Sequence, residues 1–394
     1  MKQVKKIGIV CAYQFPEGMA PTIRILAYCK GLQKNGVKTE VFTFKETQTD
    51  TLEPLDGEVQ GIPFHKSYLK HNRGGLKRIT DRICMLKRLS LQIEESNDKE
   101  PFDYILLSFD SLDKFYTIAP MLKSQGHKML FIGDEFPEPI RRLKDDIPGW
   151  HKRAYRIIHK LLEGRILMTE NLKMFYDERA GIMPTYILNS IINESRFEGV
   201  NRQPVEQKYF CYMGNMQLAK DNVDNIIQAF SMVAVEYPEY QLWLYGTPSN
   251  EDRRIVEGKI AECRMADYVF IKGRVDFEAV PQILANASLL VTSQPITKRA
   301  QGGFPTKMAE YMMSHTPMIV TNVGEIHKYV QDGVNTYMVE PCDPIAYADK
   351  LRYILSHPDE AAAVAENAYS YASENFCSKP VTKGLLDFLN SIEK

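Results

Sequence analysis

Short runs of β-branched, aliphatic and aromatic residues recur along the 394 residues, and each is followed by a longer amphipathic stretch. That alternation constrains the fold more than any other feature, because continuous apolar runs suit strands buried on both faces and the stretches between them suit covering helices. Residues 6–13, 38–44, 104–109, 128–132, 165–169 and 185–189 read as one set of strands. Residues 208–213, 241–245, 268–271, 289–292, 318–321 and 336–339 read as a second. Two such sets predict an α/β chain of two doubly wound, Rossmann-like domains.

The polar segment 193–207, with Glu194, Arg196, Asn201, Gln203 and Pro204, separates the sets and reads as a linker. An N-terminal domain over 1–194, a C-terminal domain over 195–377 and a helix over 378–394 are expected, with a cleft between the domains. In open parallel sheets ligands bind outside the carboxyl ends of the strands, so the loops after the strands are where chemistry is sought.

Net charge is −1, but residues 1–190 carry +6 and the remainder −7, so the N-terminal half is the one suited to an anionic partner. Segment 71–90 sets Arg73, Lys77, Arg78, Arg82, Lys87 and Arg88 against Asp81, interleaved with Leu76, Ile79, Ile83 and Leu86. It reads either as a basic amphipathic helix for peripheral contact with anionic lipid or as a solvated helix face. The seven cysteines are dispersed without a Cys-x-x-Cys pair, which suits a reducing cytoplasmic setting. The apolar run after Lys5 and Lys6 is at the short edge for a signal peptide, and no uncharged run approaches the ~18 residues of a membrane span. No histidine or cysteine set has metal-ligand spacing and no Asp-x-Asp occurs, so neither a metal nor a cofactor is expected, and nucleic acid is not an expected partner.

The densest chemical signal is the stretch Gln301 to Thr321. Gly302, Gly303, Phe304, Pro305 and Thr306 form a tight turn, Pro305 suits the first turn of a helix, and Lys307 and Glu310 lie three apart on one helical face. One cation for phosphate and one carboxylate for a diol make a plausible nucleotide clamp. Gly214, at a strand end, allows close backbone approach, and Lys220 can add charge to a diphosphate. Gly273 and Arg274 follow another strand and suit a base-edge contact by backbone groups. In the first domain, Gly18 and Arg24 lie in and after a turn-rich loop, with Arg24 a candidate phosphate contact or an ordinary surface arginine. Asp134, Glu135 and Glu138 follow the strand 128–132. They are candidates for acceptor binding or for a catalytic base, or form a solvated acidic loop.

With these residues in hand, the chain resembles glycosyltransferases of the GT-B fold, in the large family 4 of retaining enzymes (glycosyl transferases group 1). The resemblance rests on Tyr212-Met213-Gly214-Asn215 with Lys220, the Gly273-Arg274-Val275 turn, the Gly-Phe-Pro-Thr-Lys-Met-Ala-Glu-Tyr-Met block and Gly324-Glu325 with Asp332-Gly333, in the family's order. It implies a second domain that binds a UDP- or GDP-activated sugar without metal and a first domain that binds a polysaccharide or lipid-linked glycan acceptor. It also implies retention of configuration and a C-terminal helix that crosses back onto the first domain. Lys220 would meet the diphosphate, Glu310 the ribose, Gly302 to Thr306 the sugar and diphosphate, and Gly18 a loop over the donor. Two positions depart from the pattern. Gly302 stands where the family often has a glutamate that meets the donor sugar, and Asn215 stands where an arginine is common. These departures keep open a non-catalytic partner subunit, and a nucleotide-sugar epimerase of the same architecture is the other alternative.

Overall fold

The computed structural model describes residues 3–18, 20–47, 56–70, 75–109, 111–137 and 149–393. The chain folds into two compact units: unit 1 is Met1–Asn193 with Ser378–Lys394, and unit 2 is Glu194–Cys377. Among the described residues, no helix is long and apolar enough to cross a membrane.

Unit 1 is built on strands β1 (Lys6–Cys11), β2 (Lys38–Thr47), β3 (Asp56–Val59), β4 (Ile62–Lys70), β5 (Tyr104–Ser108), β6 (Met129–Gly133), β7 (Gly164–Leu167) and β8 (Thr185–Ile187). They lie in the order β3-β4-β2-β1-β5-β6-β7-β8, parallel throughout except for the antiparallel β3–β4 pair. Every residue of β1, β5 and β6 is buried, as expected for central strands covered on both faces. Helices α2 (Leu76–Lys99), α3 (Leu112–Ser124), α4 (Gly149–His159) and α5 (Glu170–Ala180) cover one face with Leu89, Phe115, Tyr155 and Leu172. Helix α1 (Ala20–Lys34) and the C-terminal helix Ser378–Ile392 cover the other with Ile25, Tyr28, Leu385 and Leu389. The close approach of these two helices depends on Gly31, where a Cβ would stand 2.2 Å from the Ser378 carbonyl oxygen.

The β3–β4 hairpin was not expected from the sequence pattern. Its two-residue turn, Gln60 (φ 51°) and Gly61 (φ 78°), has both φ values positive, the geometry that matches the twist of paired strands. β3 is a four-residue edge strand, mostly exposed, so its polar composition hides it from a search for apolar runs. In segment 71–90 a helix begins at Leu76, while 71–74, including Arg73, and likewise Glu138, lie outside the described residues.

Unit 2 holds β9 (Lys208–Met213), β10 (Tyr240–Tyr245), β11 (Val269–Gly273), β12 (Leu289–Val291), β13 (Met318–Thr321) and β14 (Tyr337–Val339). All pairings are parallel, in the order β11-β10-β9-β12-β13-β14. The direction of winding reverses between β9 and β12, so the loops after Met213 and Val291 open at a topological switch point. Helices α6 (Leu218–Asp221), α7 (Val223–Val233), α8 (Asn250–Glu262), α9 (Val280–Asn286), α10 (Lys298–Gly302), α11 (Thr306–Met312), α12 (Pro344–Ser356) and α13 (Pro358–Asn375) complete it. The core joins Phe210, Leu242 and Ile319 of the sheet to Ile226, Phe230 and Leu351 of the helices.

Candidate nucleotide site in unit 2

Three of the loops after the strands of unit 2 are tied together through backbone that only glycine can supply. Gly246, after β10, has φ +128°, and a Cβ there would stand 1.6 Å from the Gly214 carbonyl oxygen. Its N–H donates to the Gly273 carbonyl at 2.8 Å, while the Gly214 N–H donates to the Tyr245 carbonyl at 3.0 Å. The glycines singled out after β9 and β11 thus meet through a third that sequence reasoning passed over. Across the sheet, a Cβ on Gly324 (φ +58°) would stand 2.2 Å from the Ala300 carbonyl oxygen, which places the loop after β13 against α10.

Beneath Gly214 lies the ammonium of Lys307, so near that a Cβ on this glycine would be 2.7 Å from Nζ and 2.5 Å from the Tyr212 hydroxyl. Lys307 Nζ is 2.8 Å from Asp221 Oδ1 and 4.5 Å from the centre of the Tyr212 ring. Asp221 is buried. Burial opposes its charge, but the Lys307 ammonium, with further help from Lys220 and the Tyr212 hydroxyl, outweighs that and lowers its pKa. Burial pushes the Tyr212 and Tyr311 phenols far above their ordinary value, so both stay neutral. As neutral groups they accept backbone N–H bonds, from Met216 at 3.2 Å and Met213 at 2.9 Å. The Tyr311 bond ties the end of β9 to the helix that carries Lys307, and the Tyr212 bond closes the turn after β9 back on its own strand. The lysine read as the cation for phosphate is thus already paired, with the Asp221 carboxylate of its own unit.

Lys220 sits in the single-turn helix α6 and precedes α7, with a break at Asn222 (φ 39°) between the two. Asp221 is the main omission of the sequence reading. Its only signal was adjacency to Lys220, since nothing local marks a carboxylate that reaches a lysine 86 residues later.

One turn beyond Lys307, Glu310 meets the guanidinium of Arg196 in a charge-assisted contact. Arg196 also donates to the Phe277 carbonyl at 2.8 Å and lies 3.3 Å above the centre of the Phe277 ring. Glu310 is therefore fixed in place, with about a fifth of its side chain exposed (23%). Arg196 was read as part of a polar linker; it is an anchor. Phe304 is buried against Tyr329 and Phe376, at ring separations of 5.3 and 5.8 Å, so it pins the Gly302–Thr306 turn to the core. Gly302 is buried, Gly303 and Pro305 are half-buried and Thr306 is exposed, with Pro305 capping α11 from the preceding position. Arg274 is exposed beside the left-handed Gly273 (φ +76°).

Gly18, Arg24, Asp134 and Glu135 belong to unit 1. Arg24 is 6% exposed, with Nε 3.0 Å from Asp134 Oδ1 and other nitrogens donating to the Leu188 and Asn189 carbonyls at 2.8 and 3.3 Å. This corrects the expectation of an Arg24 phosphate contact, because the guanidinium is buried and engaged within its own unit. It also makes Asp134 the counter-ion of Arg24. Gly18 rests on the first turn of α1, where a Cβ would be 2.1 Å from Thr22 Oγ1, and Glu135 is half-buried. A cavity of about 960 Å³ in unit 1 is lined by Lys6, Lys38, Glu40 and His65 among others. It opens at the amino ends of β1 and β2, opposite to where a parallel sheet binds ligands.

Residues 193–371 match the family model of glycosyl transferases group 1. Over 171 residues the chain is 27% identical to the trehalose synthase of Thermococcus litoralis, covering 43% of this chain and 41% of that protein. The match thus spans less than half the length of that curated relative. The fold is similar to sucrose-phosphate synthase of Thermosynechococcus elongatus, with a TM-score of 0.75 at 16% identity and 99% of both chains covered. It is also similar to Anabaena HepE in complex with UDP, with a TM-score of 0.71 at 14% identity, covering 98% of this chain and 100% of that one.

Proposed function

We propose that this chain, which belongs to the glycosyl transferases group 1 through residues 193–371 and has the GT-B fold, moves a sugar from a nucleoside diphosphate donor to a hydroxyl group. The observation that carries the reading is the Lys307–Asp221 pair beneath Gly214, at the switch point of the unit 2 sheet. A lysine held by a buried carboxylate is pre-organised. It loses little side-chain freedom when phosphate arrives, and the bare backbone above it lets a diphosphate come close. Lys220, next to Asp221 in the chain, adds a second cation to the reading. Glu310, anchored by Arg196, presents its remaining lone pairs to a ribose diol one helical turn away.

In this reading the donor is a UDP- or GDP-sugar, in keeping with the UDP bound by the Anabaena protein. The acceptor is a polysaccharide or lipid-linked glycan on the cytoplasmic side. Lys307 and Lys220 stabilise the charge that develops on the leaving diphosphate without a metal, and transfer retains configuration with the departing phosphate taking the acceptor proton. Gly302 offers the donor sugar no carboxylate, so recognition of that sugar falls to backbone groups of the Gly302–Thr306 turn. The same position favours the second reading, a nucleotide-binding subunit without turnover.

Release of free nucleoside diphosphate from UDP- and GDP-sugars, with and without a glycan acceptor, separates the two. The transferase reading predicts acceptor-stimulated release that Lys307→Ala lowers by about tenfold to a hundredfold, the loss of one charge-assisted contact in the transition state. Nucleotide binding without release on any acceptor would leave the subunit reading standing instead.

A further inference from the structure

Every large apolar side chain that unit 1 leaves exposed, among the described residues, lies in the helical layer α2 to α5 or at Ile182 just beyond it. The opposite face, with α1 and the C-terminal helix, exposes none. Within that layer Ile79 and Ile83 stand on successive turns of α2 at 58% and 48% exposure, and Ile157 of α4 at 50%. Cations surround them. Lys77 and Lys87 on α2, Arg153 and Arg156 on α4 and Lys160 just after it are all exposed, and none has an ion-pair partner among the described residues. Helix α4 contains no acidic residue, and the sole acid in the first half of α2 is Asp81. Elsewhere in the layer Arg82 pairs with Asp113 of α3 at 2.9 Å and Lys152 with Glu178 of α5 at 3.5 Å.

The geometry points to this face as a docking surface for an anionic lipid membrane. Inward residues fix the orientation: Met85, Leu89 and Ile93 of α2 and Tyr155 and Ile158 of α4 face the sheet, so their helices can only present the opposite side outward. That outer side combines basic groups, which accumulate at anionic headgroups, with aliphatic chains able to enter the headgroup–acyl boundary. On α2 and α4 the large apolar side chains described as exposed are all aliphatic, which favours lipid over nucleic acid, whose bases need stacking platforms. The inference extends to α4 a role that sequence pattern suggested only for 71–90, and it stands independently of the transferase reading.

Co-sedimentation of the full chain with vesicles tests it, comparing phosphatidylcholine alone with phosphatidylcholine containing about one third phosphatidylglycerol. Binding is expected to the anionic vesicles only and to weaken with salt. R153Q/R156Q/K160Q should lower partitioning by roughly a hundredfold, at ~1 kcal/mol per surface cation. I79S/I83S should lower it severalfold while leaving far-UV circular dichroism and nucleotide binding unchanged, since neither residue is part of the core or the nucleotide site. Equal binding to neutral and anionic vesicles, or a charge variant that partitions like the parent, overturns the inference. So does competition by a short single-stranded RNA combined with indifference to I79S/I83S, which would make the face a nucleic-acid surface.

Discussion

At the scale of single residues, the candidate site turns on a carboxylate that binds no ligand. Asp221 is buried and its charge is maintained by Lys307, so each group makes the other's placement possible. Removing one partner of such a pair leaves a charge stranded in a poorly solvated place. Asp221→Asn is expected to cost about 3 kcal/mol of unfolding stability, read by denaturant titration. It should weaken nucleoside diphosphate binding less than Lys307→Ala does, because the ammonium remains. An Asp221→Asn protein as stable as the parent would show that the pair does not hold the lysine. Lys307, Glu310 and Gly214 were legible in the sequence because their spacing encodes a local turn and helix. Asp221 and Arg196 were not, since the partner of a long-range ion pair leaves no periodic trace.

Among elements, the β3–β4 hairpin shows how charge holds an edge that lacks an apolar face. His65 Nε2 and Nδ1 lie 2.7 and 2.8 Å from carboxylate oxygens of Glu40 and Asp56, and its ring stacks on Phe42 at 5.0 Å. Burial disfavours the imidazolium, but the two carboxylates outweigh it and raise the His65 pKa above 6.5. Burial likewise works against the Glu40 carboxylate, and hydrogen bonds from His65 and Ser96 with the nearby Lys6 charge overcome it, lowering its pKa from 4.5 to about 2. A raised histidine stabilises fully below its ordinary pKa and loses that contribution as pH rises through the folded value. A depressed carboxylate stabilises fully above its ordinary pKa and loses that contribution as pH falls. Both contributions are complete between pH 4.5 and 6.5. Above that window neutral imidazole can donate to just one of its two carboxylates. Amide protection factors in β4 are therefore expected to peak in the window and fall on either side, and His65→Ala should abolish the high-pH decline. A flat profile in the parent protein would remove His65 as the pin. The sequence offered no route to this element, because a short polar edge strand lacks the apolar run by which the central strands were found.

For the whole molecule, the sequence pattern was most informative where physics repeats. Each central strand must be apolar on both faces, so β1, β5, β6, β9, β12 and β13 stood out as runs, and two such sets announced two parallel sheets. What the runs could not supply was spatial order. The reversal between β9 and β12, which locates the candidate site, comes from which strands pair, and pairing is a property of the folded sheet. Family resemblance carried the glycosyltransferase reading further than composition could, while the two departures at Gly302 and Asn215 define what chemistry must still be accounted for.

Everything proposed for the chemistry depends on unit 2 binding a nucleoside diphosphate through Lys307 and Glu310. Calorimetric titration of the full chain, without added metal, with UDP, GDP, ADP and TDP probes that binding, repeated on Lys307→Ala and Glu310→Ala. Selective binding of one nucleotide is expected, weakened in the lysine variant by about 1.5–3 kcal/mol, the worth of a charge-assisted contact. Affinity in both variants equal to that of the parent, or no binding of any of the four, would contradict the proposed site.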